Sequence, residues 1–223
     1  MPCALRLVPL TPCPVQSAQR TTDPLCYIAH MTDKLKNTTN RLYSIGHGNR
    51  SIETFMDLIH EFRINHLADV RSYPSSRRNP HFDRKNLELM LNKSAISYTW
   101  FPDLGGFRRD GLGNTSPHVA IESPGFRNYA DYMNTASFDA AANKLSQLVT
   151  LGSACFMCAE TVPHRCHRSL LADYLFVQGF EVIHILDRQR TIVHELSRLA
   201  STSEGRIIYN RVAPQQMELK QND

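Results

Sequence analysis

The sequence predicts an α/β domain with a mainly parallel sheet and helices on both faces, in Rossmann-like layering. Three observations carry that expectation. Short β-rich runs alternate with segments whose apolar residues recur at helical spacing. An apolar run at 154–157, a polar loop, a helix-patterned run at 169–178, Gly179 and a β-rich run at 180–185 read together as one βαβ unit. Polar residues of chemical interest also gather just after each β-rich run, where parallel sheets open their carboxyl edge to ligands.

The elements follow in order. Residues 42–45 predict a first strand ending in Gly46. Ser51 is placed to cap a helix whose Phe55, Leu58, Ile59 and Phe62 share one face, although Thr54 falls short of an ideal capping box. Residues 66–70 predict a short second strand. A helix starts near Phe82 and Asp83 and carries Leu87, Met90 and Leu91, and residues 96–101 predict a third strand. The stretch 102–125, rich in Gly and Pro, reads as a loop, followed by helical segments at 129–133 and 138–148. The fourth and fifth strands fall at 154–157 and 181–185, and a last helix is expected at about 192–200. The domain is expected to span 39–203. Residues 1–38 lack periodicity and are expected to be a mobile tail or an upstream-start extension, and 204–223 a frayed polar tail.

Bulk properties narrow the class. In 223 residues, 42% hydrophobic and 21% charged, there is enough apolar material for one core. No apolar run approaches the roughly 20 residues that span a bilayer, and the N-terminus lacks a clean signal-peptide pattern. Six cysteines in a chain this long do not make a disulfide scaffold, so a reduced, cytoplasmic protein is expected. The formal charge of +4 permits an anionic partner without requiring one.

The densest chemistry lies in 158–169, with Cys158, Glu160, His164, Arg165, Cys166, His167 and Arg168. A thiol at a helix N-terminus beside His167 and Arg168 ionises readily and becomes a nucleophile. Cys158 or Cys166 is therefore a candidate, against the alternative that both are small buried residues. Glu160 is a candidate acid or base, or else a loop carboxylate paired with Arg165 or Arg168. Arg168 on the first helical turn suits an anion, or a salt bridge to Asp69. Asp69 ends a buried strand and needs a partner such as Arg71, His47 or Arg168. His47 and Asn49 follow the first strand, and Arg71, Arg77 and Arg78 follow the second. Arg77, Arg78, His81, Arg84 and Lys85 form a basic run, either a solvated face or a surface that tracks phosphates with Tyr73 and Phe82 as stacking groups. No cofactor is expected. Zinc on Cys158, His164, Cys166 and His167 is the secondary alternative, although the spacing is not a usual metal pattern.

Several of these segments resemble the DUF488 family. They are Gly46-His47-Gly48-Asn49-Arg50-Ser51, Asp69-Val70-Arg71-Ser72-Tyr73-Pro74, Arg78-Asn79-Pro80-His81-Phe82, Leu104-Gly105-Gly106, Phe126-Arg127-Asn128-Tyr129-Ala130, Cys158-Ala159-Glu160 and Cys166-His167-Arg168-Ser169. The resemblance spans about 41–187 and implies the fold and the residues of interest, while the family carries no assigned reaction.

The expected catalytic set is thus Cys158, Glu160, Cys166, His167, His47 and Asp69, with Asn49, Arg71, Arg77, Arg78 and Arg168 binding substrate. The leading expectation is an enzyme, hydrolase or transferase, acting on a phosphate-bearing or nucleotide-like substrate. Two alternatives stand beside it: a nucleic-acid protein acting on a base or lesion, and a ligand sensor that leaves its ligand unchanged. The expected partner is an anionic small molecule or nucleic acid, with no membrane.

Overall fold

The computed structural model describes residues 40–75, 78–203 and 205–211. The expected N-terminal extension, Arg77, and the chain beyond 211 lie outside the described residues.

Six strands form one sheet in the order β3-β2-β4-β1-β5-β6. They are β1 (Arg41–Gly46), β2 (His66–Asp69), β3 (Ser97–Trp100), β4 (Ala154–Cys158), β5 (Glu181–Ile185) and β6 (Thr191–Val193). The first five run parallel, and β6 returns antiparallel along β5. Central β4 has no polar side chain, in keeping with a strand covered on both faces.

Alternation along the strands sorts two cores. Leu42, Ala68, Ala154, Phe156 and Val182 meet helices α3 (Pro124–Tyr132), α4 (Ala136–Gln147) and α5 (Arg168–Val177) on one face. Ile45, Leu67, Cys155, Met157 and Ile185 meet α1 (Ile52–Glu61) and α2 (Arg84–Lys93) on the other. The α/β class with helices on both faces is what the sequence predicted. Ser51 caps α1 by accepting from Thr54 N at 3.2 Å.

The strand order locates the ligand edge. From β1 the chain crosses by α1 toward β2 on one side, while from β4 it crosses by α5 to β5 on the other. Neighbouring strands β1 and β4 thus send their connections in opposite directions. The loops leaving them part to form the crevice in which open α/β sheets bind ligands.

Three expectations are corrected. The helix predicted at 192–200 is instead β6 followed by irregular chain. Thr191, Ile192 and Val193 are β-branched, and the Asp187–Arg190 turn folds them back onto β5. The helix predicted at 129–133 begins at Pro124, a residue suited to a first helical turn. The boundary predicted at 203 cuts a hairpin, β7 (Ala200–Ser203) with β8 (Arg206–Tyr209), whose Ile207 and Tyr209 are buried in the α5-side core.

That hairpin is tied down through Asp173 of α5. Its carboxylate accepts from Tyr209 Oη at 2.9 Å and Ser197 N at 2.8 Å, and it lies 3.0 Å from His194 Nε2. His194 Nδ1 in turn lies 3.1 Å from His184 Nε2. Because the carboxylate only accepts, His194 carries a proton on Nε2, and in the neutral ring its Nδ1 accepts from His184.

Candidate active site

The loops leaving β1 and β4 continue the ladder of their strands. His47 N donates to Cys158 O at 3.0 Å and Gly48 N to Ala159 O at 2.8 Å. Only glycine fits at 46, since a Cβ there would lie 1.9 Å from the Glu160 carbonyl oxygen. Beneath these loops lies Arg168, completely buried. Its guanidinium donates to Ser44 Oγ at 2.8 Å and to the carbonyls of Glu160 and Thr161. Arg168, expected to hold an anionic substrate, lines neither recess described below. A buried cation with three acceptors fixes the shape of the loop from inside.

On this foundation stand two thiols and an imidazole. Cys158 ends β4, while Cys166 and His167 lead into α5. His167 Nδ1 lies 3.5 Å from Cys166 Sγ and 3.9 Å from Cys158 Sγ. His167 Nε2 lies 3.0 Å from the Val70 carbonyl. A carbonyl can only accept, so Nε2 carries the proton and the Nδ1 lone pair faces the thiols in the neutral ring. Tyr129 packs edge-on against the ring at 5.2 Å, and its hydroxyl donates to the Leu104 carbonyl at 3.1 Å. A Cβ at Gly106 would lie 2.4 Å from Nδ1, so the backbone there closes on the ring as only glycine permits. Hydrogen bonding from Cys158 lowers the Cys166 thiol against the cost of burial, assisted by His167 and Arg168. The same bond and burial push Cys158 up.

Asp69 and Arg71 form the neighbouring group. Arg71 Nε lies 2.9 Å from Asp69 Oδ1, and Nη2 lies 2.5 Å from Oδ2. Tyr98 donates to the same carboxylate at 2.6 Å and Trp100 Nε1 donates to the Arg71 carbonyl at 2.9 Å. Of the partners expected for Asp69, Arg71 is the one present. Tyr98 and Trp100 hold this pair through hydrogen bonds. His47 stacks on Phe82 at 4.2 Å, with Nε2 3.5 Å from Arg71 Nη1. Burial, then the Arg71 charge, lower its pKa to about 4, so it is neutral near pH 7.

A cavity of about 470 Å³ opens over the thiols. Arg71, Glu160, Arg165, Cys158, Cys166 and His167 line it, with Tyr73, Phe107, Phe126 and Tyr129 as aromatic wall. His47, Asn49 and Arg78 line a second recess, of about 650 Å³, with Ser75 and Asn79. Ala159 and Glu160 border both. The single rim anticipated from sequence is therefore two recesses sharing one loop, with Asp69 buried behind Arg71. Glu160 is exposed and accepts from Val162 N at 2.9 Å. His164 is exposed and lines a different cavity, away from the thiols. Among the basic run, Arg84 lies over the Trp100 ring at 4.6 Å. Phe107, Tyr129 and Ser44 went unremarked as site residues in the sequence, and only the Gly105-Gly106 pair hinted at a backbone pressed against something.

These features define a parallel α/β domain that gathers thiol, imidazole and guanidinium groups at its switch point. A family model described as a domain of unknown function, DUF488, matches residues 51–175, more than half of the chain, and the protein belongs to that family. No curated protein and no solved structure matches the chain.

Proposed function

We propose that the protein is an enzyme, a hydrolase or transferase, acting on a phosphate-bearing or nucleotide-like small molecule in the 470 Å³ cavity. The observation that carries this reading is that one cavity unites the two thiols and His167 with guanidinium groups and an aromatic wall. Its volume suits a mononucleotide-sized ligand. Tyr73 and Phe107 are 69% and 53% exposed and lie 5.9 Å apart, an apolar surface suited to covering a flat ring. Arg165 offers a free-reaching cation, and Arg71 is a pre-set one. Chemistry falls to the Cys158, Cys166 and His167 cluster, and Glu160 at the mouth can exchange protons with solvent.

The test is binding and turnover against nucleoside phosphates, sugar phosphates and short oligonucleotides. Cys166→Ser is expected to abolish turnover while leaving the fold intact. Arg165→Ala is expected to weaken binding about tenfold, the scale of one charge-assisted hydrogen bond. Oligonucleotide binding that falls steeply with salt would move the substrate to nucleic acid. Binding without turnover would make the protein a sensor, and a folded protein that neither binds nor converts any of these compounds overturns the reading.

A further inference from the structure

We propose that Cys158 Sγ, Cys166 Sγ and His167 Nδ1 form a three-ligand site for zinc or a similar thiophilic divalent cation, with its fourth position open to the cavity. The proposal deepens the reading above by naming the group at its reactive centre, and its own test needs no turnover.

The geometry points to a metal in four ways. The three donor atoms lie within 4.8 Å of one another, at 3.5 Å and 3.9 Å for the two sulfur–nitrogen separations. Tetrahedral zinc, with bonds of about 2.3 Å to sulfur and about 2.0 Å to nitrogen, sets those separations near 3.6 Å. The observed pair brackets that value, so little movement is needed to seat an ion.

Second, the imidazole is already in the right tautomer. Its Nε2 proton goes to the Val70 carbonyl, and the remaining lone pair faces both sulfurs. This is the backbone-carbonyl arrangement by which proteins orient a histidine ligand. Third, the donors are placed by rigid parts: the end of β4, the start of α5, and a ring wedged between Gly106 and Tyr129. Fourth, the donor set is soft. Two thiolates and an imidazole select zinc-like ions over magnesium or calcium, which take oxygen. The alternative set with His164 is replaced, because that residue lines another cavity.

All three ligand residues line the 470 Å³ cavity. Three protein ligands with an accessible fourth position is the pattern of a reactive zinc site, whereas structural sites close the tetrahedron with a fourth side chain. The open position would take water or an oxygen of the bound small molecule.

The test uses the full chain, reduced, stripped with a chelator and titrated with Co²⁺ alone. Stoichiometric binding is expected, with sulfur-to-cobalt charge-transfer bands, intense visible bands of tetrahedral cobalt, and displacement by Zn²⁺. Cys158→Ser and Cys166→Ser should each weaken binding by more than about 100-fold, since loss of a ligand exceeds loss of a ligand's orienting partner. Cys155→Ala, on the opposite face of β4, should bind as wild type. X-ray absorption of wild-type zinc protein, which depends on no variant, should fit two sulfur and one nitrogen neighbours plus one lighter atom. Folded wild-type protein that binds no Co²⁺, binding unchanged in both serine variants, or a Cys158–Cys166 disulfide that persists in reducing buffer would each overturn the site. Metal binding without turnover would leave the site standing and remove the enzyme reading. Turnover in metal-stripped protein that binds no Co²⁺ would do the reverse.

Discussion

Arg168 shows how differently one residue reads in sequence and in space. Its position beside Cys166 and His167 suggests a hand held out to an anion, yet it lies under the loop and grips Ser44 and two carbonyls. The sequence could not reveal this, because the acceptors are main-chain groups and a serine more than a hundred residues away. Arg168→Lys should therefore behave as a stability variant. A lysine cannot reach three acceptors in a fork, and each charge-assisted bond contributes about 1.5–3 kcal/mol. A loss of about 2–4 kcal/mol is expected in urea unfolding at neutral pH, and a variant as stable as wild type would contradict this role. His167, by contrast, was legible from its place beside two cysteines. What remained hidden was the direction of its lone pair, which depends on the Val70 carbonyl, one residue past the end of β2.

At the scale of elements, five of the six sheet strands could be read from apolar runs, and their ligand edge from the polar residues that follow. The misread segment was 192–200, where Leu196, Leu199 and Ala200 mimic a helical face. The β-branched triplet and the turn before it decide the matter through pairing with β5, a contact that no local window contains. The interlock of the β1 and β4 loops was visible only as glycines in a motif. Gly46→Ala should force these loops apart, because the clash is with backbone that cannot rotate away. A loss of about 1–3 kcal/mol or more is expected in thermal or urea unfolding, together with weakened Co²⁺ binding at the far end of the same loop. Gly125→Ala, which meets open space, is the matched control and should leave both unchanged.

The whole molecule should be sensitive to acid through its buried imidazoles. His47 is held at about 4 and His184 at about 3, chiefly by burial, and His118 is lowered for the same reason. Unfolded, each would titrate near 6.5. Between those values the unfolded chain binds more protons than the folded one, so stability is fully present above about pH 6.5 and drains as pH falls toward 4. His47 and His184 can each contribute on the order of 3 kcal/mol to that loss. Urea unfolding from pH 7.5 to 4.5 should show the decline, and His184→Asn should flatten it. An unchanged midpoint across this range would show that these rings are not buried neutral in solution. Among the described residues no helix is long and apolar enough to cross a membrane.

The junction between Val70 and Arg71 is a single flat peptide unit whose two polar groups face opposite ways. Its carbonyl meets the imidazole of His167, and its N–H meets the carboxylate of Asp69 at 3.0 Å. A tilt of that plane would turn the histidine and the arginine's support together, like two hands of a clock on one spindle. The guanidinium of Arg71 and the imidazole beside the thiols thus share one hinge pin. A bound anion tugging on Arg71 would be felt at the thiols without any helix having to move.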